Sequence, residues 1–272
     1  MSATELVTIR DFLRHAVSSF RAAGLVHGHG TSSVIDEAAF IILEKLHLPV
    51  DNINPWLDAR LTKAERTALA RIIATRVKTR KPAAYLLKKT YMHGVPFFVD
   101  ERVIVPRSYI GELLMNGTLG PDGIGLYETP AAIGSVLDLC TGSGCLAVLA
   151  AMTFEDATID AVDLSKDALA VAKVNVKDHD LVDRISLHRG DLFAPLNDRR
   201  YDLIITNPPY VARAEVKAFP AEYKHEPVMA HLGGDDGFDL VRRILADAPK
   251  YLTADGVLVC EIGTGRDLLE AD

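Results

Sequence analysis

The chain has 272 residues, 49% apolar, 25% charged and 7% aromatic, fractions that exclude collagen-like, low-complexity and wholly disordered chains. At this length a single core has stopped growing, so one large domain and one smaller one are expected. A net charge of −7 argues against a general polyanion binder, and three cysteines (Cys140, Cys145, Cys260) are too few for a disulfide scaffold. No stretch approaches the ~18 apolar residues of a membrane span, and Glu5, Arg10, Asp11 and Arg14 interrupt any leader-like run at the start. A cytoplasmic soluble protein is expected.

In the first eighty residues apolar positions recur at helical spacing. Leu6, Ile9, Leu13, Val17 and Phe20 form one stripe, ended by Gly24. Val34, Ala38, Ile41, Ile42 and Leu46 form a second, after capping residues 31–33 and before Pro49. Thr62-Lys-Ala-Glu65 fits a capping box opening a third helix, with Leu69, Ile72, Ile73 and Val77 inward. Three such helices predict a small bundle over residues 1–88. Residues 1–100 hold 14 basic and 9 acidic residues, against 16 and 28 in the remainder. The excess lies in residues 60–89, where ten basic residues accompany only Glu65. That run is either a docking surface or a solvated helix face.

Residues 91–105 change period and read as a β-hairpin, so residues 89–107 form a linking element and Pro106-Arg107 a hinge. Ser108 can cap a short helix over 109–115. From Ser135 strands and helices alternate: apolar runs at 136–139, 159–162, 185–187, 203–205 and 257–262 are strand-length, with helical patterns at 146–152, 168–176 and 240–251. The pattern predicts a doubly wound α/β sheet over residues 108–272, whose ligands bind beyond the carboxyl ends of the strands.

The first strand ends in Asp138-Leu-Cys-Thr-Gly-Ser-Gly144. Its glycines permit a tight turn and close approach of a ligand to a helix N-terminus. With Asp163 after the second strand, this loop fits an adenosine ligand, either a nicotinamide cofactor or S-adenosylmethionine. Asp163 can accept from a vicinal diol or cap a helix, although Ser165 is the better cap. Asp191 after the third strand can accept from an adenine amine or lie idle in a surface loop. The fourth strand decides between the cofactors, because it ends in Asn207-Pro-Pro-Tyr210. Two prolines stiffen the loop, Asn207 offers a fixed amide and Tyr210 an aromatic face. Two acceptors, Asn207 Oδ1 and the Pro208 carbonyl, can hold both hydrogens of a planar NH₂ while its nitrogen faces a methyl donor.

These motifs, with Val105-Pro-Arg107, His225-Glu-Pro227 and Gly237-Phe-Asp-Leu-Val-Arg-Arg-Ile-Leu245, make the chain resemble the HemK-like protein-glutamine N5-methyltransferases over nearly its whole length. Pro106-Arg-Ser-Tyr-Ile-Gly-Glu-Leu113 and the Cys-Thr-Gly-Ser-Gly-Cys form of the loop are similar to the branch that modifies a ribosomal protein. The resemblance implies a Rossmann-like class I methyltransferase domain over 108–272, preceded by a helical module, and the basic charge of that module makes it the expected substrate-recognition domain. It implies S-adenosylmethionine as cofactor and a glutamine in the third large-subunit ribosomal protein as target, before or during ribosome assembly. The cofactor would be held by Asp138, Cys140, Thr141, Gly142, Ser143, Gly144, Asp163, Leu164, Asp191, Leu192 and Asn207. The glutamine would be held by Asn207, Pro208, Pro209 and Tyr210, with Asn207, Pro208 and Tyr210 catalytic. No metal or membrane is implied, and nucleic acid is not expected as substrate.

The family's fold adds a helix and an antiparallel hairpin after the fifth strand. Only ten residues follow Ile262, so that hairpin is expected to be missing. Four rival functions remain: glutamine methylation of release factors, adenine N6 methylation of nucleic acid, NAD-dependent oxidation, and a ribosome-assembly factor without turnover. His27-x-His29 lacks further ligands nearby, and the three cysteines read as small buried hydrophobes.

Overall fold

The computed structural model describes residues 5–271 and divides into two compact units. One comprises the chain up to Thr90 together with Pro220–His225. The other comprises Tyr91–Phe219 and the chain from Glu226 onward. The units therefore part at Thr90, not at Pro106-Arg107, and the 220–225 excursion into the first unit has no signature in the sequence.

The first unit is built on α1 (Ile9–Ala22), α2 (Val34–Lys45), α3 (Lys63–Thr79) and the short α4 (Ala83–Leu87). Capping boxes open two of them. Thr8 and Asp11 exchange side-chain and backbone hydrogen bonds at α1, as Thr62 and Glu65 do at α3, where Glu65 accepts from the Thr62 N–H at 2.7 Å. Ser33 caps α2. The stripes meet in one core of Ile9, Phe12, Phe20, Ile41, Ile42, Leu69 and Ile73.

Beside that core lies a buried ionic cluster. Glu37 accepts from Arg76 Nε at 2.5 Å and contacts His27, while Glu222 accepts from the Val26 N–H at 3.1 Å and pairs with Arg80 at 2.7 Å. Charges out of water must be paired and hydrogen-bonded, so Arg76 and Arg80 are structural members of the basic run. Lys63, Arg71 and Lys78, with Thr67 and Ala74, are exposed at intervals of three and four along α3. They share one face about 22 Å long.

In the second unit a hairpin joins β1 (Thr90–Met92) to β2 (Val95–Phe97). Its two turn residues, His93 and Gly94, both take positive φ, the conformation that matches strand twist. The hairpin is shorter than its sequence suggests because Phe98 leaves the ladder and donates its N–H to Asn175. After α5 (Tyr109–Met115), capped by Ser108, come β3 (Ser135–Leu139), α6 (Cys145–Thr153), β4 (Thr158–Asp163), α7 (Lys166–Asp178), β5 (Ile185–Arg189) and β6 (Tyr201–Thr206). Next are α8 (Arg213–Ala218), α9 (Asp239–Asp247), β7 (Leu252–Cys260) and α10 (Arg266–Glu270).

The five strands from β3 to β7 form one parallel sheet in the order β5-β4-β3-β6-β7. Both faces are buried, as a parallel sheet requires. Val136, Ile159, Ala161, Leu203 and Ile205 face one core, and Leu137, Leu139, Val162 and Ile204 face the other. Strand order reverses between β3 and β6, which sets a crevice beyond their carboxyl ends. Among the described residues β7 is the last strand, and no helix is long and apolar enough to cross a membrane.

Candidate active site

The crevice holds a cavity of about 290 Å³, close to the ~300 Å³ at which small-molecule pockets begin. Cys140, Gly142, Asp163, Leu164, Asp191, Leu192, Asn207 and Pro209 line it, so eight residues expected at the site meet around one cavity. Asp138, Thr141, Ser143, Gly144, Pro208 and Tyr210 do not line it. They lie in or beneath the same two loops. Arg102, Val103, Ile104, Met229 and Leu232 also line it without any motif that would have marked them, and Leu240 lines it from within the 237–245 motif.

The glycine loop is shaped by its own backbone. Cys140, Gly142 and Gly144 have φ of +59, +56 and +77, and Cys140 holds a left-handed conformation that side chains adopt at a cost of about 1–2 kcal/mol. A Cβ at Gly144 would stand 3.1 Å from Ala172 Cβ on α7, so close packing also excludes larger residues. Asn175, fully buried on α7, donates to the Ser143 carbonyl at 2.8 Å and fixes the turn from behind. Asp138 lies under the loop, where its Oδ2 accepts from Thr141 Oγ1 at 2.5 Å and from the Ala147 N–H at 3.1 Å. Its Oδ1 is buried without a partner, and burial pushes this carboxyl up to about 7.

Asp163 accepts from the Gly142 N–H at 2.9 Å and the Ser165 N–H at 2.8 Å, one on each oxygen. Each oxygen keeps lone-pair capacity, the geometry a vicinal diol needs. Burial raises its carboxyl above the ordinary range, against the two amides. Ser165 caps α7. Asp191 is half exposed and pairs with Arg243 at 2.7 Å. The cavity thus combines apolar walls with acidic acceptors, and an orphaned buried oxygen of Asp138 lies beneath its glycine loop, a set of groups suited to a cationic adenosyl ligand. The cysteine thiols are raised by burial, to about 12 for Cys145 and Cys260, so none offers a thiolate near neutral pH.

The Asn207–Tyr210 loop is held by partners far away in sequence. Asn207 Nδ2 donates to the Arg107 carbonyl at 3.1 Å. Because a carbonyl only accepts, this bond fixes which way the amide faces and turns Oδ1 away from that carbonyl. Tyr210 donates its hydroxyl to Glu261 Oε1 at 3.1 Å, and Glu261 Oε2 accepts from Ser108 Oγ at 2.6 Å and the Tyr109 N–H at 3.1 Å. Burial and the Glu261 charge push the Tyr210 phenol up to about 12, so it stays a donor. Beyond the loop, Val211 exchanges backbone bonds with His231 and Gly233, and Gly237 lies where a Cβ would stand 2.5 Å from the Tyr210 carbonyl. Arg107, Glu226 and Glu261 brace this loop, directly or through one another, and sequence reasoning left each of them without a task. Arg107 and Glu226 carried a signal only as members of the Val105-Pro-Arg107 and His225-Glu-Pro227 motifs, and Glu261 as a carboxylate at the carboxyl end of the last strand.

Comparison with known proteins gives relatives that match nearly the whole chain. A family model described as "Methyltransferase small domain" matches residues 126–222. The chain is 58% identical to the ribosomal protein uL3 glutamine methyltransferase of Bradyrhizobium diazoefficiens, over 98% of this chain and 84% of that protein. It is 53% identical to that of Burkholderia pseudomallei, over 99% and 89%. Among solved structures, the catalytic domain of hMettl16, crystallised with a MAT2A 3′UTR hairpin, matches with a TM-score of 0.50 at 17% identity, over 81% of this chain and 74% of that one. That likeness concerns the fold.

Proposed function

The chain belongs to the family of ribosomal protein uL3 glutamine methyltransferases, and from that membership and the site geometry we propose how it acts. It transfers a methyl group from S-adenosylmethionine to the side-chain nitrogen of a glutamine in ribosomal protein uL3, and works in the cytoplasm. The observation that carries the chemistry is the oriented Asn207 amide on the cavity wall.

When bound, the cofactor supplies a methyl on a positively charged sulfur, already activated for displacement. The chain supplies position. Asp163 accepts from the ribose hydroxyls, the glycine loop gives close backbone approach, and Asp138 answers positive charge near the loop. Asn207 Oδ1 and the Pro208 carbonyl accept the two hydrogens of the glutamine NH₂, so the weakly nucleophilic nitrogen faces the methyl. Tyr210, kept protonated and tied to Glu261, borders the planar carboxamide. As the N–C bond forms and the C–S bond breaks, the nitrogen becomes more acidic and loses one proton to solvent. Alignment and fixed dipoles account for the rate without a strong base.

The helical unit contributes substrate recognition through the exposed cations of the α3 face, Lys63, Arg71 and Lys78. Arg76 and Arg80 stay out of this role because they pair internally. The test is mass spectrometry of unmethylated uL3, release factor, RNA and DNA, each incubated with the protein and labelled cofactor. Label on a uL3 glutamine alone is expected. Label on nucleic acid or release factor and not on uL3 overturns the reading.

A further inference from the structure

Val105-Pro-Arg107 and His225-Glu-Pro227 mark the family resemblance but have no task in the mechanism above. In the second unit they meet at one carboxylate. The Glu226 side chain is fully buried. Its Oε1 accepts from the Val105 N–H at 2.9 Å and Arg107 Nη1 at 2.8 Å. Its Oε2 accepts from Arg107 Nη2 at 2.7 Å and lies 2.9 Å from His231 Nε2. Arg107 Nη1 also donates to the Val105 carbonyl at 3.0 Å. The guanidinium is thus held in a two-pronged fork, and backbone and side chain of residues 105–107 are fixed together. The backbone carbonyl of that same Arg107 is the acceptor that turns the Asn207 amide.

A buried ion pair adds little to stability over an apolar pair of similar volume, but it imposes a geometry that an apolar contact does not. Here that geometry ends on the one carbonyl that decides whether Asn207 presents oxygen or nitrogen to the cavity. Ser108, the next residue, reaches Tyr210 through Glu261, so the 105–108 segment braces both ends of the target loop.

We propose that Glu226 and Arg107 are positioning residues for methyl transfer: their fork sets the Arg107 carbonyl that orients Asn207 Oδ1 toward the target amide. The proposal rests on the reading of Asn207 as the substrate acceptor given above.

The test compares the full-length protein with Glu226→Gln and Arg107→Lys. Glutamine keeps shape and one acceptor but not the charge. Lysine keeps the charge but not the fork. Misplacing the acceptor is expected to lower kcat on uL3 by about 100-fold in Glu226→Gln, with a smaller loss in Arg107→Lys. KM and the Kd for S-adenosylhomocysteine should stay within about threefold, the precision needed to separate them from a loss of that size.

A second readout is independent of turnover. The side-chain NH₂ signals of Asn207, identified by their disappearance in Asn207→Asp, should exchange faster with solvent in Glu226→Gln. Unchanged kcat, or kcat falling only in step with cofactor affinity, overturns the proposal. So do unchanged Asn207 signals when Asn207→Ala is inactive, and in that case the acceptor reading stands. Full activity of Asn207→Ala overturns the acceptor reading and the proposal with it. If Glu226→Gln does not melt cooperatively, Arg107→Lys carries the same comparison.

Discussion

The two loops that form the site are held in different ways. Residues 140–144 turn on three positive φ angles in five residues, and Asp163 and Asn175, from the next strand end and helix of the same sheet, pin that turn together with a tight contact of Gly144 on α7. Residues 207–210 owe theirs to Arg107, 100 positions upstream, and to Glu261, 51 positions downstream. A site for an invariant ligand can be built into a local turn. A site that must aim one acceptor at a foreign side chain is braced from several elements, because a rigid loop alone does not fix the rotation of an amide.

That contrast can be broken from either side. The largest effect is expected for Asn207→Ala, which removes the acceptor and should lower kcat by about 100- to 1,000-fold. Calorimetry should find the cofactor still bound, so a parallel collapse of cofactor affinity would place Asn207 in the other loop's task.

Next comes a pair of glycines. Gly144→Ala forces a side chain into φ +77 and into Ala172, strain of about 1–3 kcal/mol. It should weaken S-adenosylhomocysteine binding by about tenfold or more. Gly237→Ala meets the Tyr210 carbonyl and should lower kcat with cofactor affinity kept. Equal effects on both parameters would mean that the loops are not independent.

A smaller effect separates Asp138 from its surroundings. Its folded-state carboxyl stands at about 7 against 3.8 in an unfolded chain, because burial penalises the charge. A raised folded value contributes stability that is full below about 4 and is lost as pH rises through about 7. Asp138→Asn should therefore melt at a higher temperature than the parent at pH 8 without cofactor, with the gap closing by pH 4. Cofactor affinity should fall and lose its dependence on pH between 6 and 8. Thermal melts and titration calorimetry at those values decide it.

The smallest effect is a several-fold rise in KM for uL3 in the triple variant Lys63→Ala, Arg71→Ala, Lys78→Ala, with kcat and cofactor Kd unchanged. The steady-state KM is the check, and an unchanged KM removes the α3 face from substrate recognition. Exposed charges act weakly through solvent, which limits the size of this effect.

What could be read in advance follows the same division. The sheet was legible because runs such as Leu203-Ile-Ile205 are buried on both faces and allow no other placement. The helix starts were legible because a capping box is a contact between residues three apart. The Arg76–Glu37 pair, the docking of Glu222 in the helical unit and the early end of the hairpin were not legible. Each depends on a partner dozens of residues away.

Sequence by itself determined the parallel α/β sheet, the glycine loop with its acidic companions and the stiff Asn-Pro-Pro-Tyr turn, since all of these arise from short-range sterics and periodic burial. Only the tertiary structure decided that residues 105–108 brace the Asn207–Tyr210 loop, and which cations of the basic run are exposed. Bringing Glu226, Arg107 and Asn207 together is a consequence of the chain path, and no local pattern of residue types encodes it.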